Sequence, residues 1–227
     1  MWRTILGTGL AVALATHFAL SLRREFRRRR QAPEAFFERA RAVIDDARLE
    51  PTGMLGYPEL LGAYRGLPVR IRPVIDNLAV RKLPSLWLLV TIPEPLPIEA
   101  TFDLMMRPAG PTTFSNFERL PFIVDTPSEF PLHAVVRTDD PGRLVPPAAM
   151  APHLRLFGHP NAKELLVSPK GLRIVWLIAE GERARYGIFR QAEFGETVLP
   201  PELLTDMLDE LVALRTAIMA WKDSKNR

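Results

Sequence analysis

The residues whose types could support chemistry are His133, Asp139 and Asp140, which lie within eight positions of one another. An imidazole and two carboxylates, brought together by a strand end and the following turn, could form a small oxygen-rich metal site, or could serve a hydrolase that acts near the bilayer. A turn with solvated carboxylates is the alternative interpretation, and the sequence favours it. The pattern therefore indicates a hydrolytic site only as a second hypothesis.

Motifs for metal, cofactor or nucleotide binding are missing from the sequence. The chain contains no cysteine, and no histidine has the i, i+4 spacing with glutamate that places two imidazoles on one helix face. Neither Gly-x-Ser-x-Gly nor a glycine-rich phosphate loop occurs. Ser115 and Ser168 are potential nucleophiles only if a distant histidine reaches them. We therefore expect no cofactor and no bound metal.

A second group of candidates consists of aromatic and arginine side chains in an irregular stretch. Residues 108–119 show little periodicity, and a connection of that length is uncommon in a compact domain unless it has a function. Aromatic and arginine side chains are the usual anchors of protein interfaces. They also serve to pin a loop onto a core, so both interpretations stay open. The predicted binding residues are Phe114, Phe117, Arg119, Phe122 and Phe130.

The elements around these candidates are predicted to be short. Thirteen prolines fall between positions 93 and 160, and each proline removes a backbone donor when it enters a strand. Strands are predicted at 101–106 and 133–137, a turn at 139–142, and a short helix at 150–157 that a glycine ends. His133 should thus begin a strand, and the two aspartates should follow it.

Longer elements flank this middle section. Alternating apolar and charged residues predict a hairpin at 60–75, and the apolar run 86–92 predicts a central strand covered on both faces. A Ser-Pro-Lys-Gly turn predicts a hairpin at 164–178, followed by a third strand at 184–190. A leucine stripe at helical spacing predicts a long helix at 201–221, which should cover the sheet.

The N-terminal residues carry the strongest indication of location. Residues 5–22 form an uncharged, largely apolar run of 18 residues, and a helix of that length, roughly 27 Å, spans the hydrocarbon core of a bilayer. Small residues recur at every fourth position, and such a stripe lets two helices pack closely. The alternative is that an alanine-rich composition produces the stripe by chance. These packing residues are Gly7, Ala11, Ala15 and Ala19.

The arginines that follow the apolar run predict its orientation. One arginine precedes the run and six follow within eight residues, and such an excess stays on the cytoplasmic side. A cleaved secretory signal would have the reverse order of charge and apolar core. We therefore expect a single-pass protein of the inner (plasma) membrane with its remaining chain in the cytoplasm. The arginines available to lipid headgroups are Arg23, Arg24, Arg27, Arg28, Arg29 and Arg30.

These observations divide the chain into three segments. They are a transmembrane anchor with its basic stop at 1–30, a juxtamembrane amphipathic helix at 31–50, and a cytoplasmic domain at 51–227. The helix is predicted from apolar spacing between positions 33 and 48. The predicted fold class is α+β: an N-terminal single transmembrane helix, then an antiparallel β-meander domain with a long C-terminal helix packed on the sheet.

The distribution of charge argues against nucleic acid as a partner. The net charge is +4, but seven arginines and one glutamate give the first 30 residues +6, which leaves −2 for the remainder. Nucleic-acid affinity depends mainly on positive charge in the folded part. The expected partners are instead the lipid bilayer and a membrane-protein partner or a second copy of the chain. The leading hypothesis is a non-enzymatic protein-interaction or assembly module of a membrane complex, and the alternative is a membrane-tethered hydrolase acting near the bilayer.

Overall fold

One large antiparallel sheet dominates the described part of the chain. The computed structural model describes residues 17, 18, 20, 35–53, 56–77, 83–181, 194 and 197–225. Nine strands pair in the order β1-β2-β3-β4-β9-β8-β5-β7-β6, and every neighbouring pair is antiparallel. The strands are Asp45–Glu50 (β1), Glu59–Tyr64 (β2), Leu67–Asp76 (β3), Ser85–Ile92 (β4), Phe102–Met106 (β5), Phe122–Val124 (β6), Ala134–Thr138 (β7), Ala162–Ser168 (β8) and Gly171–Glu180 (β9).

The helices with described bounds are one long helix and several short turns. The single-turn helix α1 is Pro147–Met150, and the long helix α2 is Pro201–Lys225. The helix predicted at 201–221 is therefore confirmed, whereas the one predicted at 150–157 is a single α-turn followed by 3-10 turns. The 3-10 helices are Ala40–Val43, Phe117–Arg119, Ala151–His153 and Arg155–Gly158.

The first face of the sheet carries the main hydrophobic core, beneath α2. Leu204, Leu208 and Leu211 are fully buried on one stripe of the helix. They belong to the same core as Leu88 and Ile174, which lie on the central strands β4 and β9. Because each buried side chain of this size stabilises the fold by about 1.5–3 kcal/mol, the α2 layer is a major source of stability.

The second face carries a smaller core, which a loop covers. Trp87 and Leu89 alternate with residues of the main core along β4, so they point to this second face. Residues 107–121, here named the roof loop, connect β5 to β6 and place Phe114 and Phe117 in the same cluster. The apolar run of β4 is thus buried on both faces, which confirms the predicted central strand.

Several other predicted elements are confirmed. The hairpin at 60–75 is β2–β3, the strand at 101–106 is β5, the strand at 133–137 is β7, and the hairpin at 164–178 is β8–β9. Gly171 begins β9 with a φ of 136°, and a Cβ atom there would lie 2.2 Å from the carbonyl oxygen of Ile92. This turn therefore requires glycine. The strand predicted at 184–190 lies outside the described residues.

The predicted fold class is wrong. In place of an α+β arrangement of meanders behind a transmembrane helix, the described residues form mostly a nine-stranded antiparallel sheet with one C-terminal helix. Strand β5 pairs with β8 and β7 and does not follow β4 in the sheet, as it would in a meander. The physical reason is that hydrophobic periodicity reports which residues are buried, whereas it does not report which distant strands pair.

The amphipathic helix predicted at 33–48 is also wrong. Of the described residues 35–48, Ala35 is helical, Ala40–Val43 forms a 3-10 turn, and the edge strand β1 begins at Asp45. Phe36, Phe37 and Ala40 are buried in the main core, which produces the apolar spacing without a continuous helix. From Asp45 onward the backbone pairs with β2, and that strand pairing outweighs local helical propensity.

Most of the predicted membrane anchor lies outside the described residues. Of residues 5–22, the structure describes His17, Phe18 and Leu20, which are helical and exposed. The predicted packing stripe and the arginines at 23–30 fall entirely outside the described part. Among the residues that are described, no helix has the length and apolar character needed to cross a membrane.

Candidate functional site

The structure separates the residues predicted to form a hydrolytic site. His133 precedes β7, and Asp139 and Asp140 follow it, so the whole strand lies between the imidazole and the carboxylates. At about 3.3 Å per residue, the backbones at the two ends are roughly 20 Å apart. Within the described ranges, no group of three His, Cys, Asp or Glu side chains could hold a metal ion. The three residues therefore do not form one site.

Each of these residues has a structural role where it lies. His133 adopts a φ of 67°, which histidine tolerates better than most residues, and its carbonyl accepts the N–H of Arg107 at 3.0 Å. Asp139 accepts hydrogen bonds from the backbone N–H and the hydroxyl of Thr101, at 2.7 and 3.0 Å. Asp140 accepts a backbone N–H of the next turn at 2.9 Å. The contacts of all three order the two ends of β7.

A cluster of buried charged groups lies on the second face, under the roof loop. Asp103 of β5 is 2% exposed, and Glu164 of β8 is fully buried. Asp103 lies opposite Leu166 of β8, which in turn lies opposite Arg173 of β9. Glu164 lies opposite Met105, two residues further along on the same face of the sheet. The two carboxyl groups are thus diagonal neighbours, and Arg173 is diagonal to Glu164. Three strands bring two acids and one arginine together.

Glu164 is the centre of this cluster. Its Oε2 lies 3.1 Å from the Nη2 of Arg173, and its Oε1 accepts the hydroxyl of Ser115 from the roof loop. Asp103 is hydrogen-bonded to the same carboxyl group. Because one guanidinium balances only one carboxylate in a site removed from water, the second acid is more stable when it is protonated.

The pKa values of both acids follow from this environment. Burial raises the pKa of Asp103 to about 9, and the charge of Glu164 adds to the increase, while Arg173 opposes it. Burial also raises the pKa of Glu164, against the opposing effects of Arg173 and the Ser115 hydroxyl. Asp103 therefore carries the proton at neutral pH, and Glu164 is the ion-pair partner of Arg173. We name Asp103 and Glu164 the acid pair.

Arg137 of β7 attaches the roof loop to the sheet at a second point. It lies opposite Asp103 in the register of β5 and β7, and its guanidinium carbon is 5.2 Å from the ring centre of Phe117. Its Nη1 donates to the carbonyl of Leu120 at 3.0 Å, and its Nη2 lies 3.7 Å from a carboxylate oxygen of Glu118. The acid pair and Arg137 together fix the second half of the loop.

A cleft of about 270 Å³ is bounded by the roof loop and by residues of β5 and β8. Lys163 forms part of its wall, and its ammonium group donates to the carbonyls of Met106 and Arg107 at 2.6 and 2.8 Å. Ser115 and Arg119 also line the cleft. The buried acid pair does not line it, so the Ser115 hydroxyl is the contact between the cleft wall and Glu164.

The predicted binding residues fall into a buried group and an exposed group. Phe114, Phe117 and Phe130 are buried, the first two in the second-face core and the third in the main core. Arg119 is exposed, and Phe122 is 48% exposed at the edge of the sheet. A partner can reach Arg119 and Phe122 without any rearrangement of the fold.

Sequence reasoning missed the acid pair and Arg173. The available indication was that Asp103 and Arg173 each stand between two large apolar residues, within strands that are otherwise apolar. Glu164 similarly precedes two leucines. A charged residue in such a strand is expensive to bury unless a partner lies nearby. The partners come from three strands, so only the pairing of the sheet reveals them.

Comparisons with known proteins do not assign a family. No known protein family matches the chain, and no curated protein matches it. The crystal structure of the mycobacterial trehalose monomycolate transport factor A, TtfA, is similar over 84% of this chain and 96% of its own, at 10% sequence identity and a TM-score of 0.42. At this TM-score the similarity does not establish a common fold, and it assigns no function to this chain.

The retained proton predicts how stability depends on pH. Folded Asp103 keeps a proton that the unfolded chain releases above about pH 4. The free energy of unfolding should therefore fall as pH rises, by up to about 1.4 kcal/mol per pH unit, until pH 9 is approached. In Asp103→Asn the amide is neutral throughout, so the variant should become progressively more stable relative to the wild type between pH 5 and 8. Urea unfolding at several pH values measures this. Asp206→Asn, on an exposed position of α2, is the control, and equal pH dependence in the Asp103 variant and the wild type would contradict the prediction.

The contact between Ser115 and Glu164 predicts how firmly the roof loop is held. Removal of a hydrogen bond to a buried charged group costs about 1.5–3 kcal/mol, so Ser115→Ala should raise the population of locally opened loop about tenfold or more. Trypsin does not cleave a bond that precedes proline, so it does not cut after Arg107. Cleavage after Arg119, the other basic residue of the roof loop, therefore reports the opening. Thr113→Ala, an exposed hydroxyl in the same loop, is the matched control. If both variants were cleaved at the wild-type rate, Ser115 would not anchor the loop.

Proposed function

We propose that the protein is a membrane-attached, non-enzymatic interaction module that binds a membrane-protein partner or a second copy of itself. The observation that carries the proposal is an exposed apolar surface at the β6 edge of the sheet. Phe122 is 48% exposed and Ile123 is 67% exposed on that outermost strand. Large apolar side chains exposed at the edge of a sheet are typical of interaction sites.

The backbone of β6 adds a second means of recognition. Among the described strands, β6 pairs with β7 alone, so its outer edge presents N–H and C=O groups to solvent. Extended segments bind to such edges by adding a strand to the sheet. The roof loop leads directly into β6, and the contacts of Ser115 and Arg137 hold it in place. Arg119 and Phe122 are therefore preorganised for a partner, which reduces the entropic cost of binding.

The positions of the candidate catalytic residues also support a non-enzymatic function. His133 lies at the opposite end of β7 from Asp139 and Asp140, so the hydrolase alternative has no catalytic group at its predicted residues. Ser115 does contact a carboxylate, but Glu164 is ion-paired with Arg173 and fully buried. A carboxylate held in this way is a poor general base.

Membrane attachment is proposed from the first 30 residues of the sequence. Residues 5–22 are uncharged and largely apolar, and the arginines that follow are retained on the cytoplasmic side of a membrane. The proposal places the sheet on the cytoplasmic face of the inner membrane. The same arginines are available to anionic headgroups at about 1 kcal/mol per cation.

Flotation with lipid vesicles tests the attachment. The full chain should float with vesicles of phosphatidylcholine and phosphatidylglycerol, and it should remain bound in high salt because apolar residues hold it. Leu10→Asp combined with Leu14→Asp adds two charges, each opposing insertion by about 2.5–3.5 kcal/mol, and should abolish flotation. Leu132→Asp, at an exposed position of the sheet domain, should float like the wild type. A wild-type chain that stays unbound would contradict the proposal.

The mass of the extracted protein tests the interaction in the same material. Gentle detergent extraction followed by light scattering should give a protein mass well above the 25.6 kDa of one chain. Phe122→Asp should reduce that mass, because an apolar contact at the edge strand is lost. A wild-type protein that emerges alone at the mass of one chain would remove the support for an interaction module.

A further inference from the structure

We infer that β6 of one chain pairs with β6 of a second chain about a two-fold axis through Ile123, which joins the two sheets edge to edge. This inference rests on the proposed function, because attachment to one membrane raises the effective concentration of the two chains. A short interface then suffices for association. A two-fold axis makes the interface self-complementary, so each contact occurs twice.

The pairing matches apolar residues with apolar residues. In an antiparallel ladder centred on Ile123, this residue lies opposite its own copy, and Phe122 lies opposite Val124 of the second chain. Phe122 and Ile123 are exposed, and Val124 is partly exposed. All three residues of β6 would therefore lose water-exposed apolar area on both chains, which is the main driving force for association.

Charge complementarity favours a second copy as the occupant of this edge. Arg119 ends the 3-10 turn that precedes β6, and Asp125 directly follows β6. Antiparallel pairing about Ile123 brings the segment before β6 of one chain to the same end of the interface as the segment after β6 of the other, so Arg119 and Asp125 of the two chains lie at the same end. Arg119 and Asp125 are both exposed, and neither forms an ion pair within the described part of the chain. The two-fold axis creates this juxtaposition of opposite charges twice, and it requires no partner of a different sequence.

Prolines limit the pairing to the short strand β6. Pro121 and Pro127 flank β6, and neither has a backbone N–H, so the ladder is limited to the few residues around Ile123. Short, proline-bounded edges normally prevent uncontrolled pairing of sheets. Here the same boundary confines the contact to the apolar strand, and one paired chain occupies the edge completely.

Disulfide trapping tests the register directly, because the chain has no cysteine of its own. We expect Ile123→Cys in the full chain, reconstituted in vesicles at low density, to form a disulfide-linked dimer on mild oxidation. Opposed residues of an antiparallel pair have Cα atoms about 4.5–5.5 Å apart, which suits a disulfide. Thr126→Cys is the matched control, since the two-fold axis places its copies roughly 20 Å apart. The first variant should cross-link at least tenfold more than the second.

A charge exchange provides the second measurement. Arg119→Glu in the Ile123→Cys background should reduce cross-linking several-fold, and adding Asp125→Arg should restore it. Equal cross-linking at positions 123 and 126, or an unchanged yield with Arg119→Glu, would overturn the inference. If position 123 failed to cross-link while the extracted wild type still exceeded the mass of one chain, the register would be wrong and the proposed interaction function would survive.

Discussion

Two buried carboxyl groups and one partly buried guanidinium constrain the second face of the sheet. Glu164 uses one oxygen for Arg173 and the other for the Ser115 hydroxyl, so Asp103 must keep its proton to remain beside it. The cost of burying these groups is offset only while the roof loop excludes water and supplies the hydroxyl. The position of a long, irregular loop therefore depends on a small polar cluster.

The two faces of the sheet serve different purposes. On the first face, α2 buries a leucine stripe, and that layer is built from apolar contacts that many sequences could provide. On the second face, polar contacts from Ser115 and Arg137 hold the roof loop in one specific arrangement. The roof loop leads into β6, and the pairing of β6 with β7 places Phe122 and Ile123 at the exposed edge.

Local patterns predicted the elements with strong periodicity and failed for those that depend on pairing. The strand predicted at 86–92 is correct because burial on both faces produces a continuous apolar run. The helix predicted at 201–221 is correct because burial of one face produces apolar residues at helical spacing. The segment 33–48 mimics a helix because Phe36, Phe37 and Ala40 share one core. Strand β6 has three residues and little burial, so it leaves no pattern of hydrophobicity in the sequence.

The acid pair combines residues 61 positions apart, and only the sheet order reveals it. Two of the five predicted binding residues, Arg119 and Phe122, are exposed at the proposed interface.

The protonation of Asp103 is the most direct test of this account. Carbon-13 NMR of the side-chain carboxyl, assigned by comparison with Asp103→Asn, reports ionisation of that one group. The account predicts a protonated carboxyl that is unchanged from pH 5 to pH 8 and begins to ionise only as pH 9 is approached. A titration near pH 4, which is ordinary for aspartate, would show that the pair does not hold a proton and would contradict the role assigned to the cluster.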